Sequence, residues 1–440
     1  MTRIKVCDAL CGSGKTSACI RMMNERTDSR FVFVTQFLSE VDRIKSKCKA
    51  RRFVSPEQDD GRTKLSNIRE LLREGRNIAT THALFTNSTV DIKQLVTEQN
   101  YVLVLDETVD TLTVSDLKAC DMNLLLHHEI VKEDNGRIEW VYDEYEAEDY
   151  DGGGKFSKEV LLSKSRNLYK YDDEYYFWAI PPELFACFKE AYVLTYMFNA
   201  QLLRCFFDLY GLTYELIGVH KVNGEYEFCD YEATERKRDL RGMIHILEHE
   251  KLNDVGAKRT DLSFTAYSTS AKRSTELCDK LRKNLVNIFR NVYHAPSKEI
   301  MWTTFKDFKD SVASKGFTHS FVPYNQRASN DYADRRYLAY LVNNFMRPWE
   351  AQIYSEHGIS INQDQYAVSI LIQWIYRSAI RNGEEVWVYI PSARMRSLLK
   401  QWLDNLADGR DLEPVVYTAS KPVQKRSKRK KEGDEIAKEL

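Results

Sequence analysis

The residues best suited to chemistry lie close to the first residue, in the segment Ala9-Leu10-Cys11-Gly12-Ser13-Gly14-Lys15-Thr16-Ser17. A loop that holds a phosphate chain needs glycines so that backbone N–H groups can turn inward, a lysine to reach the β and γ oxygens, and a hydroxyl for magnesium. Gly12, Gly14, Lys15 and Thr16 supply those parts, with Ser13 and Ser17 beside them as further cradle residues. The run before the loop is apolar enough for a strand and the run after it reads as a helix, which aims the helix amino terminus at the anion. Ala9 stands where the usual pattern has its first glycine, a position at which only bulk is forbidden. The bland alternative is a glycine-rich turn ahead of a helix, and the strand-loop-helix setting speaks against it. The expected ligands are ATP and Mg2+.

Hydrolysis needs one carboxylate for the metal and another to orient the attacking water, both where an apolar strand opens into a cleft. Tyr101-Val102-Leu103-Val104-Leu105-Asp106-Glu107 ends in such a pair, about ninety residues beyond the loop. Asp106 is assigned with Thr16 to the metal, and Glu107 to the water. Alone, Asp-Glu after an apolar run is a common strand ending, and the upstream loop is what makes the pairing specific. Asp110 reads either as a further neighbour of this pair or, more simply, as a surface turn residue.

These groups must be positioned by alternating strands and helices. Short β-branched or aromatic runs occur at Ile4 to Ala9, Phe31 to Thr35, Asn77 to Thr81, Tyr101 to Leu105 and Tyr192 to Met197. Between them, Lys15 to Asn24, Leu38 to Lys47, Leu65 to Glu74 and Ala83 to Glu98 carry apolar residues at helical steps. That alternation predicts a parallel sheet covered on both faces. The rhythm breaks over 111–173, which reads as an insertion with an acidic, flexible loop from Asp143 to Asp151 and the glycines Gly152, Gly153 and Gly154. Tyr175-Tyr176-Phe177-Trp178 could stack on bases, although strand core is the commoner use of such a run.

Asn223-Gly224 sits between strand-like runs in Thr213 to Tyr231, a hairpin signal, and 213–240 reads as a connector. A second alternating block begins near Leu262, with strands expected at Ser263 to Tyr267, Thr318 to Val322 and Val386 to Ile390. Helices are expected at Asp364 to Arg381 and Arg394 to Leu406. The expected domains are therefore 1–212 and 241–417. A basic tail over 418–440, with Lys425, Arg426, Lys428, Arg429, Lys430 and Lys431, lacks apolar content and reads as disordered.

A chain of 440 residues has room for two or three domains of about 150 residues each. Hydrophobic residues at 43% and charged residues at 29% are the balance of a globular protein and exclude a disordered or membrane-embedded chain. No run approaches the roughly 18 apolar residues of a spanning helix, and no charged-then-apolar leader is present, so a soluble cytoplasmic protein is expected. The net charge of −1 gives no global pull on nucleic acid, which leaves local clusters of Lys and Arg to supply it. Nine cysteines, an odd count without Cys-x-x-Cys spacing, suit neither a disulfide framework nor a zinc site. His245-Ile246-Leu247-Glu248-His249 matches a short zinc-peptidase pattern, with a solvated helix face as the simpler reading.

Ala9-x-x-Gly12-x-Gly14-Lys15-Thr16 with Asp106-Glu107 resembles motifs I and II of superfamily 1 and 2 helicases, superfamily 2 first. Val34-Thr35-Gln36 is similar to motif Ia and Thr80-Thr81-His82-Ala83-Leu84-Phe85 to the Ib region, both of which touch the nucleic-acid backbone in that family. Leu194-Thr195-Tyr196-Met197 resembles motif III, which couples the nucleotide to the tracked strand. Thr318 to Ala328, with Asn325 and Arg327, stands where motif V belongs, and Gln373 to Arg381 where motif VI belongs. Arg377 and Arg381 are four apart where the family spaces its arginines by three, which on a helix still keeps one face. Each weaker match has an ordinary rival: a threonine ending a buried strand, or two arginines in a solvated stripe. Asn325 to Tyr332 and Ile390 to Met395 are similar to helicase-like proteins of bacteriophages.

The resemblance implies an α/β chain of two RecA-like P-loop domains with parallel sheets, an insertion in the first and a disordered basic tail. It implies ATP and Mg2+ in the cleft between the domains, with Lys15, Asp106, Glu107, Arg377 and Arg381 as catalytic residues and Gln373 at the nucleotide. Thr35, Thr81, His82, Thr195, Asn325 and Arg327 would contact nucleic acid, DNA favoured over RNA, with replication or recombination proteins as further partners and no membrane. If phage-encoded, the protein would work in the host cytoplasm. Two rivals stand beside this: a nucleotide-dependent switch that holds a protein partner without moving, and a small-molecule kinase, which needs only one such domain.

Overall fold

The computed structural model describes residues 2–58, 64–82, 90–115, 117–134, 136–141, 163, 167–171, 175–325, 331–410 and 413–418. In chain order the strands are β1 (Arg3–Asp8), β2 (Arg30–Thr35), β3 (Ile78–Thr81), β4 (Tyr101–Asp106), β5 (Leu112–Val114), β6 (Val131–Asp134), β7 (Arg137–Trp140), β8 (Leu168–Tyr171) and β9 (Tyr175–Ala179). They continue with β10 (Glu190–Thr195), β11 (Tyr214–Val222), β12 (Glu225–Asp230), β13 (Ile244–Ile246), β14 (Ile300–Thr303), β15 (Tyr337–Tyr340) and β16 (Val386–Tyr389). The first sheet runs β12-β11-β1-β10-β4-β2-β3, all parallel except the β11–β12 hairpin. The second is a four-stranded parallel sheet, β13-β16-β15-β14.

All six residues of β4 are buried, as a strand covered on both faces requires. Successive side chains alternate between two cores. Tyr101, Leu103 and Leu105 join Ile4, Val6, Val32 and Val34 on one face, and Val102 and Val104 join Cys7, Phe31 and Phe33 on the other. Helices α1 (Lys15–Glu25) and α2 (Leu38–Lys47) cover the second face through Ala18, Cys19, Met23, Val41 and Ile44. Helix α3 (Lys64–Arg73) covers the first through Ile68 and Leu72. Each fully buried aliphatic side chain stabilises by roughly 1.5–3 kcal/mol, so the same burial that closes the core fixes the strand ends that carry the site.

The second sheet builds its own core around Trp302, Trp374 and Trp402, and Leu10 and Tyr196 of the first unit belong to it. Trp402 Nε1 donates to the Tyr196 hydroxyl at 2.8 Å, in a buried bond that joins the two units just beyond the end of β10. A buried Arg394 ties the second unit together: its guanidinium donates to Asp364 Oδ1 at 2.7 Å, Asn343 Oδ1 at 2.9 Å and Gln363 O at 2.9 Å. Among the described residues no helix is long and apolar enough to cross a membrane.

Several sequence expectations are corrected here. The interval expected as an insertion carries a folded antiparallel sheet, β5-β9-β8-β7-β6, extending to Ala179. Its strands of three to five residues are too short to leave a period in the sequence. The acidic run from Asp143 to Asp151 and the basic tail from 419 onward lie outside the described residues. The Asn223-Gly224 hairpin forms, with φ of 52° and 88° at the turn, but it is the edge of the first sheet and no connector. Ser263 to Tyr267 is a helical turn, Phe264–Tyr267, because the Ser263 hydroxyl accepts from Ala266 N as a cap. Thr318–Ser320 is a 3₁₀ turn, leaving only Phe321 bridged to Trp302. His245 lies on β13, paired with Glu385 and stacked on Trp387, while His249 caps the short helix Glu250–Asn253. The two histidines therefore share no helix face.

The insertion sheet and the helix Leu202–Leu209 meet the helix Pro348–Glu356 of the second unit through Leu112, Phe177, Cys205, Ile353 and Tyr354. Glu350 is buried in this junction. Burial pushes its carboxyl up to about 7, with Arg347 opposing and Asp110 reinforcing the rise. The folded state holds this proton more tightly than an unfolded chain at 4.5, so the stabilisation is complete below that pH and lost as pH rises through about 7. Glu350→Gln, neutral at every pH, is expected to gain on the parent between pH 5 and pH 8 by on the order of 3 kcal/mol. Chemical denaturation across that range checks this, and a pH-independent difference would contradict it.

Candidate active site

β1 ends at Asp8, and residues 9–14 turn into α1. Gly12 and Gly14 have φ of 74° and 92°, a region that glycine enters without steric cost. Gly14 is constrained a second time, since a Cβ there would lie 2.3 Å from Cδ1 of Tyr226. Ser13 N donates to Leu10 O at 3.1 Å, closing the loop, and Ala18 N donates to Gly14 O at 2.9 Å, opening the helix. Lys15 Nζ donates to Ala9 O at 2.6 Å and Leu10 O at 3.1 Å, so the ammonium lies within the loop. Burial pushes the neighbouring Cys11 thiol up to about 11, and it stays protonated.

Strand register supplies the carboxylates. β10 lies between β1 and β4, pairing Asp8 with Thr195 and Leu194 with Asp106, so the loop and the acidic pair open at one sheet edge. Thr16 Oγ1 donates to Asp106 Oδ1 at 3.2 Å. Glu107 has φ of 69°, and its N–H donates to Leu194 O at 3.0 Å. Left-handed backbone at a glutamate costs on the order of 1 kcal/mol or more and is kept where the surroundings over-determine it. Here it turns the chain out of the sheet immediately after Asp106. Burial, with Glu107 and Glu40 close by, pushes the Asp106 carboxyl up to about 7 against the opposing influence of Thr16 and Lys15.

This donor set fits a magnesium-bound phosphate chain. Hard oxygens from Thr16 and Asp106 suit Mg2+, and the surplus of negative charge around them would be relieved by a divalent cation. Ser13 Oγ is buried in the loop with no hydrogen-bond partner among the described residues, a polar atom that a phosphate oxygen would satisfy.

The second unit reaches the same cleft. A cavity of about 270 Å³ is lined by Gly12 to Ser17, Asp106 and Glu107 on one side and by Gln373, Tyr376, Arg377 and Arg381 on the other. The arginines do not share a helical face, which corrects the expected helix to Arg381. The helix Gln363–Ile375 stops where the Ser378 hydroxyl donates to the Ile375 carbonyl oxygen at 2.6 Å. Arg377 follows in a turn, buried, with Nη1 3.5 Å from Pro323 O. Arg381 is exposed, in the 3₁₀ turn Ala379–Asn382. Residue spacing anticipated the meeting, but by the wrong local geometry.

The residues assigned to nucleic acid are dispersed. Thr35 and Thr195 are buried at strand ends, so their side chains present nothing to a polymer. Thr81 and His82 are half-buried, Asn325 is exposed, and Arg327 lies outside the described residues. Asn325 and Tyr324 border a larger groove of about 1360 Å³ beyond the carboxyl ends of β14 and β15, whose walls carry Lys258, Arg273, Lys306, Arg347, Phe264 and Trp349. Pro323, whose carbonyl meets Arg377, is part of the same wall.

Glu40, Arg43, Tyr226 and Tyr376 also line this cleft and were not singled out by sequence. Glu40 and Arg43, an ion pair at 3.0 Å on α2, had one available signal: a helix that begins just after a parallel strand starts at the same sheet edge as the loop. Tyr226 had none, because its approach depends on the hairpin folding back onto α1.

Over 413 residues the chain is 38% identical to the SPbeta prophage-derived uncharacterized protein YonV of Bacillus subtilis (strain 168), covering 92% of this chain and 100% of that protein. The chain belongs to the YonV family. Residues 238–403 match the YonV C-terminal Rossmann-like domain, the interval that contains all four strands of the second sheet. A solved structure of S. tokodaii Xpd4 aligns over 92% of this chain and 94% of that one, at 13% identity and a TM-score of 0.47, a likeness too loose to bear on function.

Proposed function

We propose that this YonV-family protein hydrolyses ATP with Mg2+ in the cleft between its two parallel-sheet units and uses the cycle to move along nucleic acid. The observation that carries the reading is the Thr16–Asp106 hydrogen bond at 3.2 Å in a cavity that Arg377 and Arg381 of the other unit also line. Lys15 and the loop N–H groups hold the phosphates, Thr16 and Asp106 hold the metal, and Glu107 orients water. Bound magnesium would neutralise charge on the phosphate oxygens. Because the cleft has walls from two units, its closing and opening changes their separation, which is the motion a translocase needs. The groove beyond β14 and β15 combines cations with the exposed Phe264 ring and the half-buried Trp349 and Tyr324, as single-strand tracks combine charge with stacking surfaces, and shares Pro323 with the Arg377 contact. DNA is favoured over RNA, in phage replication or recombination, on the strength of a prophage-derived relative.

Glu107→Gln tests this directly. The amide keeps the size of the side chain and removes the charge that orients water, so Mg-ATP binding is expected to persist while hydrolysis falls by about a hundredfold or more. Parental turnover in that variant would remove Glu107 from the chemistry. A switch that holds a partner without moving would hydrolyse ATP at a rate insensitive to any polynucleotide.

A further inference from the structure

We propose that Tyr226 is the platform on which the nucleobase stacks, so that the cleft selects nucleotides by ring area. The inference rests on the nucleotide reading above and begins from strand order. Across the carboxyl edge of the first sheet, the carboxylates Asp106 and Glu107 stand beyond β4, two strands to one side of β1. Lys15 and Thr16, at the start of α1, sit between. A phosphate chain whose γ end faces Asp106 and Glu107 therefore directs its nucleoside toward the opposite flank, where β11 and β12 lie. Tyr226, on β12, is the aromatic side chain of that flank that lines the cleft.

The ring is held there from two directions. Three of its carbons come within 2.5 Å of where a Gly14 Cβ would be, so glycine at this position gives the ring its seat against the phosphate loop. The hairpin is clamped to α1 by Arg21, which pairs with Glu225 at 3.5 Å and Glu227 at 3.1 Å on either side of Tyr226 in sequence. The ring remains partly exposed and already attracts a cation, with Lys221 Nζ 5.4 Å from its centroid. That contact comes from an exposed lysine on a flexible stem, and a nucleobase can displace it at little cost. Stacking reads the π-face and not the hydrogen-bonding edge of a base. The larger purines are thus favoured over pyrimidines, and adenine and guanine are told apart weakly.

Calorimetric titration of the full chain and of Tyr226→Ala and Tyr226→Phe with ATP, GTP, CTP and inorganic tripolyphosphate, all with Mg2+, tests this. The expected results are ATP and GTP affinities within a few-fold of each other and a weaker CTP affinity. Tyr226→Ala should lose roughly tenfold or more in ATP affinity, as removal of a stacking ring does. Its tripolyphosphate affinity should be unchanged, and Tyr226→Phe should restore ATP binding. Equal losses for ATP and tripolyphosphate in Tyr226→Ala would overturn the proposal, because Tyr226 would then only prop the loop at Gly14. Unchanged ATP affinity in Tyr226→Ala would overturn it as well. A parent chain that binds neither ATP nor tripolyphosphate would instead overturn the nucleotide reading on which it stands.

Discussion

Lys15→Ala is expected to lower ATP hydrolysis by about a thousandfold or more. Preorganised cations aimed at developing phosphoryl charge act in a cleft with little water, where each contributes far more than it would in bulk solvent. The Lys15 side chain is 9% exposed, and its ammonium sits in the loop with two backbone carbonyls as its partners. Alanine removes the charge and also the ammonium's bonds to Ala9 O and Leu10 O, of which Leu10 O keeps its bond from Ser13 N. Both KM and kcat should suffer, since the same loop binds the ground state and stabilises the transition state. A steady-state assay checks this, and a variant within tenfold of the parent would mean that nucleotide is turned over elsewhere.

The second large effect concerns the far wall of the cleft. At least one of Arg377→Ala and Arg381→Ala is expected to slow polymer-stimulated hydrolysis by about a thousandfold, the range an arginine finger supplies in related phosphate-transfer sites. ATP affinity should change much less. Arg381, exposed at the rim, gives the cleaner variant. Arg377 is buried, and its loss also frees the Pro323 carbonyl at the groove wall. For Arg377→Ala, thermal unfolding measured beside the rate separates a folding defect from a catalytic one. The bland reading of Arg381 as a solvated charge predicts near-parental rates, because isolated surface charges contribute little. Near-parental stimulated rates in both variants would leave the second unit without a part in the chemistry.

What the sequence disclosed and what it hid have a physical pattern. The loop, the acidic strand end and the first sheet's strands were legible because each is a continuous run: β4 is buried along its whole length, and the loop's glycines take the positive φ that its tight turn requires. The second sheet was harder. Its strands are three or four residues long, and β14 (Ile300–Thr303) and β15 (Tyr337–Tyr340) are joined through short helical turns, so they left no period to find. Ser263 drew a strand expectation where its hydroxyl makes a helix cap, a local hydrogen bond prevailing over β-propensity. Arg377 and Arg381 were found through spacing that a continuous helix would justify, yet a turn delivers them to the cleft. Tyr226 shows the limit most clearly, because its seat against Gly14 exists only after a hairpin packs onto a helix two hundred residues away in sequence.

The most direct test of the account is the rate of ATP hydrolysis by the full chain measured without polymer and then with single-stranded DNA, duplex DNA and RNA, each beside Glu107→Gln. Single-stranded DNA is expected to raise the parental rate severalfold and RNA to raise it less, with Glu107→Gln near background throughout. A parental rate that no polymer changes, or one that Glu107→Gln matches, would contradict a motor driven from this cleft.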